Sequence, residues 1–148
     1  MSREQLRSRS IEAVKSILAE SLFALHAVIV LFFFIPFFIP TSAWPGRIDV
    51  HFAYLSGLLV LNYLWGLIWT IRYRDRLYTV CPLTTLMQCL RGYGMWDARN
   101  FRYWFSEELL ERLHLAGANR HGVTVMLRLP VLVSGVLYGL EQAGIVIY

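Results

Sequence analysis

From Leu22 to Ile39 the only ionisable side chain is His26; everything else in the run is apolar. Wound as a helix at 1.5 Å per residue, the run covers about 27 Å, close to the ~30 Å hydrocarbon core of a bilayer. A secretory signal has a core of only ~7–15 apolar residues before a small-residue cleavage site. Thr41-Ser42-Ala43 offers such a site, but the preceding run is too long, so the expectation is an anchor that stays. Pro36 and Pro40 are expected to end this first span near residue 40, because each lacks an amide donor and pushes the residue before it out of helical conformation. Trp44-Pro45-Gly46 then reads as an interfacial turn.

Composition supports the same solvent. The chain is 57% hydrophobic and 16% charged, against about 45–50% and ~25% in soluble domains. Despite a pI near 9.3, that balance excludes a disordered chain and a nucleic-acid module, and it makes the lipid bilayer the first partner. A second span is expected over about 50–71, ending at Arg72-Tyr73-Arg74-Asp75-Arg76, with Trp65 and Trp69 near that charged end as an interfacial belt. A third is expected over about 122–147. It carries Arg128, Pro130, Glu141 and Gln142, and Pro130 is expected to kink it. The chain shows no internal repeat and reads as one membrane domain over 1–148.

Orientation follows from where Lys and Arg fall outside the spans, since short loops rich in them stay cytoplasmic. Four precede the first span (Arg3, Arg7, Arg9, Lys15). Eight lie between the second and third (Arg72, Arg74, Arg76, Arg91, Arg99, Arg102, Arg112, Arg120), and one, Arg47, lies between the first and second. The expected layout has the N-terminus and the 72–121 segment inside, and the Trp44 turn and the C-terminus outside.

Two kinds of amphipathic segment are expected on the cytoplasmic side. Residues 2–20 carry Leu6, Ile11, Val14, Ile17 and Leu18 near helical spacing, as in a helix lying on the membrane before turning in. The 72–121 segment divides at Gly92 and Gly94. Its first piece starts at Cys81-Pro82, with Pro82 at the first helical position, and has an apolar stripe of Leu83, Leu86, Met87 and Leu90. Its second opens at Asp97 as an N-cap. The stripe there is Phe101, Phe105, Leu109 and Leu113, with Trp104 beside it and Glu107, Glu108 and Glu111 as solvated charges. The fold class is therefore all-α: three transmembrane helices plus short cytoplasmic-side amphipathic helices.

Few residues suggest chemistry. There is no nucleophile elbow, phosphate loop, zinc-protease motif or dinucleotide fingerprint, so no catalytic residues are assigned and an enzyme is not the favoured reading. Cys81 and Cys89 lack Cys-x-x-Cys or zinc-ligand spacing, so no metal site and no disulfide is expected, although a helix-start cysteine such as Cys81 is a candidate for modification or redox use. His26 and His51 are the only candidates for axial haem ligands or a quinone site. They should lie nearly a membrane apart, which disfavours one haem held by both in a single chain. Intramembrane polar groups usually face a bundle interior. His26, His51, Asn62, Arg128 and Glu141 are therefore expected to make helix–helix contacts, pairing His51 with Glu141 at the outer face and His26 with Arg128 or Glu20 at the inner. Gly135 and Gly139 form a Gly-x-x-x-Gly pair that permits close helix approach.

The stretch Leu25-His26-Ala27-Val28-Ile29-Val30-Leu31-Phe32, then His51-Phe52, Trp65, and above all Cys81-Pro82-Leu83-Thr84 followed by Leu86, Leu90 and Arg91, carries a resemblance. The chain resembles an uncharacterised family of small bacterial multi-span membrane proteins marked by a first-helix His and a Cys-Pro-Leu-Thr motif. The resemblance covers roughly 22–92. Met87 stands where the family pattern has Glu, and Tyr93 to His121 looks like an insertion. What it implies is a helical bundle in the bacterial inner membrane, with no activity attached. The functional expectation is a non-catalytic accessory or scaffold subunit that assembles with itself or with other membrane subunits. The alternatives are a redox or transport component binding haem, quinone or protons, and a homo-oligomeric pore.

Overall fold

The computed structural model describes residues 3–74, 78–97, 99–102, 105–114 and 120–145, with backbone alone at a few of these. Arg76, Trp104 and residues 146–148 lie outside them. The protein is all-helical: α1 (Arg3–Leu31), α2 (Ile35–Phe38), α3 (Arg47–Tyr73), α4 (Pro82–Leu90), α5 (Arg99–Arg102), α6 (Phe105–Arg112) and α7 (Arg120–Gln142). Two stretches, Arg3–Phe38 and Arg47–Tyr73, are long and apolar enough to cross a membrane. The helices group into two compact units, Met1–Ala27 with Asn62–Phe105 and Val28–Leu61 with Ser106–Tyr148.

Several boundaries differ from the sequence expectation. The amphipathic stretch before residue 20 does not turn; it continues without a break into the apolar run as one 29-residue helix. That helix stops at Leu31, earlier than Pro36 itself. A proline ring would clash with the carbonyl four residues back, here Phe32. The chain avoids this by tightening: Phe33 and Phe34 donate to Val30 and Leu31, three residues back. Pro36 then sits in the first turn of α2, where no amide is needed.

Helix α7 ends at Gln142, short of 147. Gly144 takes φ +76°, its amide donates to the Glu141 carbonyl, and that of Ile145 donates to Leu140. This double hydrogen bond around a left-handed residue closes the helix. Pro130 lies inside α7, which runs through it.

In the first unit the core is Trp69, Tyr78 and Val80, with Trp65 packed against it. Gly66 makes this possible, because its missing side chain lets the backbone of Tyr78 and Thr79 lie against α3. Thr70 links the two: its hydroxyl donates to the Gly66 carbonyl (3.0 Å) and accepts from the Tyr78 amide (3.0 Å). Helix α4 begins at Pro82 as expected and ends with the same closure as α7, around Gly92 at φ +90°. Asp97 caps the next turn, its carboxylate accepting from the Arg99 amide at 2.9 Å. Asn100, almost fully buried, holds the intervening loop by donating to the Gly94 carbonyl.

In the second unit Arg47 opens α3 and reaches back to the carbonyls of Pro36 (3.2 Å) and Ile39, supplying donors that the end of α2 lacks. Tyr54 donates to the Ile29 carbonyl at 2.7 Å. The rings of Phe32 and Phe33 meet Tyr54 edge-on. Phe52 and Tyr138 stack with centroids 4.2 Å apart, bringing α3 against α7.

Candidate functional site

Helix α4 turns several polar side chains inward. Thr84, Thr85, Met87 and Gln88 are buried, while Leu86 is half exposed. Only Met87 of the predicted apolar face is fully inside. Each buried hydroxyl or amide must find a partner to avoid a desolvation cost. Thr85 does so twice, accepting from Trp65 Nε1 (3.1 Å) and donating to the Cys81 carbonyl (3.3 Å). The second bond ties the hydroxyl to the residue that starts the helix.

That residue faces an imidazole. Cys81 Sγ lies 3.8 Å from His26 Nε2, joining residues 55 apart in the chain. Both cysteines are free thiols and half-buried, but only Cys81 has such a partner among the described residues. The imidazole is fixed from its other side: Phe105 stacks on it with centroids 3.9 Å apart and planes 16° from parallel, and Phe23 packs against Phe105 at 4.7 Å. His26 Nδ1 is buried with no hydrogen-bond partner. Which of Sγ and Nε2 donates depends on the imidazole tautomer; in the tautomer with the proton on Nδ1, Nε2 accepts from the thiol.

The backbone at Cys81 is also set for chemistry. Cys81 occupies the N-cap position in extended conformation, and its side chain makes no capping bond. Pro82 has no amide. The first-turn amides of Leu83 and Thr84, which point back along the helix axis, therefore receive nothing from the cap side chain. Directly after the far end of α4, Arg91 pairs with Glu20 at 3.5 Å. So Glu20, one of the expected partners of His26, is engaged elsewhere, and the partner of His26 is Cys81.

The other sequence-predicted residues separate. Arg128 is exposed on α7, beside exposed Leu129, and so is not an interior contact. His51 is buried with its ring edge-on to Phe37 at 4.7 Å. Its Nε2 and one carboxylate oxygen of Glu141 are each buried without a hydrogen-bond partner. The two do not form the expected pair through these atoms. Asn62 is half-buried and makes no hydrogen bond among the described residues. Of the glycine pair, Gly135 has the Phe52 ring 4.0 Å from where a Cβ would stand, and Gly139 faces open space. Among the described residues no group of three or more metal-ligating side chains occurs.

Sequence reasoning singled out His26 and Cys81 separately and missed that they meet. It also gave Arg47 no role beyond its charge. No protein-family model, curated protein or solved structure matches the chain.

Proposed function

We propose that the chain is a small integral membrane protein acting as a non-catalytic accessory or scaffold subunit. The observation that carries the reading is the outward apolar surface of the long helices. Along Arg3–Phe38 and Arg47–Tyr73 only 22% and 17% of the most apolar window is buried, unlike the mostly buried core helix of a water-soluble domain. Leu, Val and Ile side chains of α1, α3 and α7 point outward, while eight polar side chains are buried among the described residues. Such an outward apolar surface needs lipid or other membrane helices around it.

In this reading α7, at 23 residues and about 35 Å, is a third span. The cationic loops keep the N-terminus and residues 72–121 on the cytoplasmic side of a bacterial inner membrane, leaving the end of α7 outside. Assembly is favoured by the exposed apolar side chains of α7, among them Leu129, Leu132 and Val136, which a neighbouring membrane helix can cover.

Native mass spectrometry of the protein released gently from its own membranes tests this. The expected spectrum shows the chain bound to further copies or to other membrane subunits, and the complex weakens in Glu141→Ala. A monomer without protein partners overturns the subunit reading.

A further inference from the structure

We infer that Cys81 and His26 form a nucleophile–base couple that accepts a fatty-acyl group from an acyl thioester, making Cys81 a site of S-acylation. The inference goes beyond the accessory-subunit reading, and it draws on the membrane reading only for the surroundings of the acyl chain.

Three features accelerate thiol–thioester exchange, and they coincide here. The first is a thiol within reach of a base, given by the 3.8 Å approach of Sγ to Nε2. The second is a group that holds the plane of the base, given by the Phe105 ring stacked on the imidazole face. The third is a set of donors for the developing oxyanion, given by the first-turn amides of the nine-residue helix α4, which the Cys81 side chain leaves uncapped. The approach to the thiol is apolar: Pro82 and Leu83 beside it are half-buried and Leu86 is exposed. A long-chain acyl group matches that surface, whereas a polar electrophile does not.

The step balances without an oxidant. Cys81 Sγ attacks the thioester carbonyl carbon as its proton passes to His26 Nε2, and the carbonyl oxygen becomes an oxyanion at the start of α4. Collapse breaks the bond between that carbon and the departing sulfur. The departing thiolate takes the proton from the imidazolium. The products are acylated Cys81 and a free thiol.

Cys89 is the internal control, since it is half-buried on the same helix without an imidazole partner among the described residues. The full-length protein, reduced and in mild detergent, is incubated with a long-chain acyl-coenzyme A, and hydroxylamine-sensitive acylation is quantified separately at the two cysteines by peptide mass spectrometry. A positioned base contributes about 10²–10⁴-fold to such a step. Cys81 is expected to react at least about 10²-fold faster than Cys89, and His26→Gln to bring Cys81 down toward the rate of Cys89 while leaving Cys89 unchanged. Equal rates at the two thiols, no acylation of Cys81, or a preference untouched in a folded His26→Gln variant would overturn the inference. Should His26→Gln lose its helical circular dichroism, the ratio of the two thiols in the unsubstituted chain decides alone.

Discussion

Replacing Gly66 by alanine should destabilise the protein, although the same change elsewhere on the same helix should stabilise it. An alanine inside a helix is favoured over glycine by about 0.5–1 kcal/mol, because glycine loses more backbone freedom on folding. At Gly57 nothing lies within 4 Å of the added carbon, so Gly57→Ala should show that gain. At Gly66 the added carbon would stand 2.8 Å from the Tyr78 carbonyl carbon, 3.2 Å from Thr79 Cα, and closer still to the Tyr78 carbonyl oxygen. These are backbone atoms and cannot rotate away. Pushing the 78–80 segment off α3 introduces overpacking strain of about 1–3 kcal/mol. It also breaks the Tyr78 amide bond to Thr70, and a buried amide left unsatisfied costs about 1–3 kcal/mol. Set against the helix gain, the net loss is about 3 kcal/mol, or roughly two orders of magnitude in the folding equilibrium. Titrating mild-detergent micelles with a denaturing detergent, with circular dichroism and tryptophan fluorescence as readouts, measures both variants. A Gly66→Ala protein as stable as Gly57→Ala would refute the close packing of Tyr78 on α3.

Two further substitutions test particular contacts. Tyr54→Phe removes the 2.7 Å bond to the Ile29 carbonyl but keeps the ring, and should lower stability by about 1 kcal/mol in the same titration; no change would mean the hydroxyl is not engaged. Gly92→Ala places a side chain at φ +90° and should cost about 1–2 kcal/mol. Its local signature is faster hydrogen exchange at the Tyr93 amide, which closes α4 on the Gln88 carbonyl, and unchanged exchange there would argue against the left-handed closure.

What was legible in the sequence was whatever depends on neighbours along the chain. The apolar stretch from Leu22 and the one from about Val50 both appear as helices, because length and hydropathy act locally. Pro82 at the start of α4 and Gly92 past its end follow from missing donors and a missing Cβ. Which residues of α4 are buried was not legible, because the groups that engage them lie on other elements: Thr85 accepts from Trp65 of α3, and no spacing within 82–90 encodes that contact. The continuity of α1 escaped because charged residues before Glu20 suggested an interface, yet nothing in that stretch stops a helix. The meeting of His26 with Cys81 depends on how α1, α4 and Phe105 pack, and no spacing encodes it. The early end of α1 was accessible in principle: the clash of a proline ring reaches four residues back, to Phe32.

The central claim is that the outward apolar side chains of the long helices contact lipid. In a chain with Cys81 and Cys89 replaced by serine, a spin label at Leu64, which is 60% exposed on α3, reports this directly after reconstitution into liposomes. Paramagnetic relaxation by oxygen, which concentrates in hydrocarbon, is predicted to exceed relaxation by a water-soluble nickel chelate. Stronger relaxation by the nickel chelate would place that face in water and contradict the account.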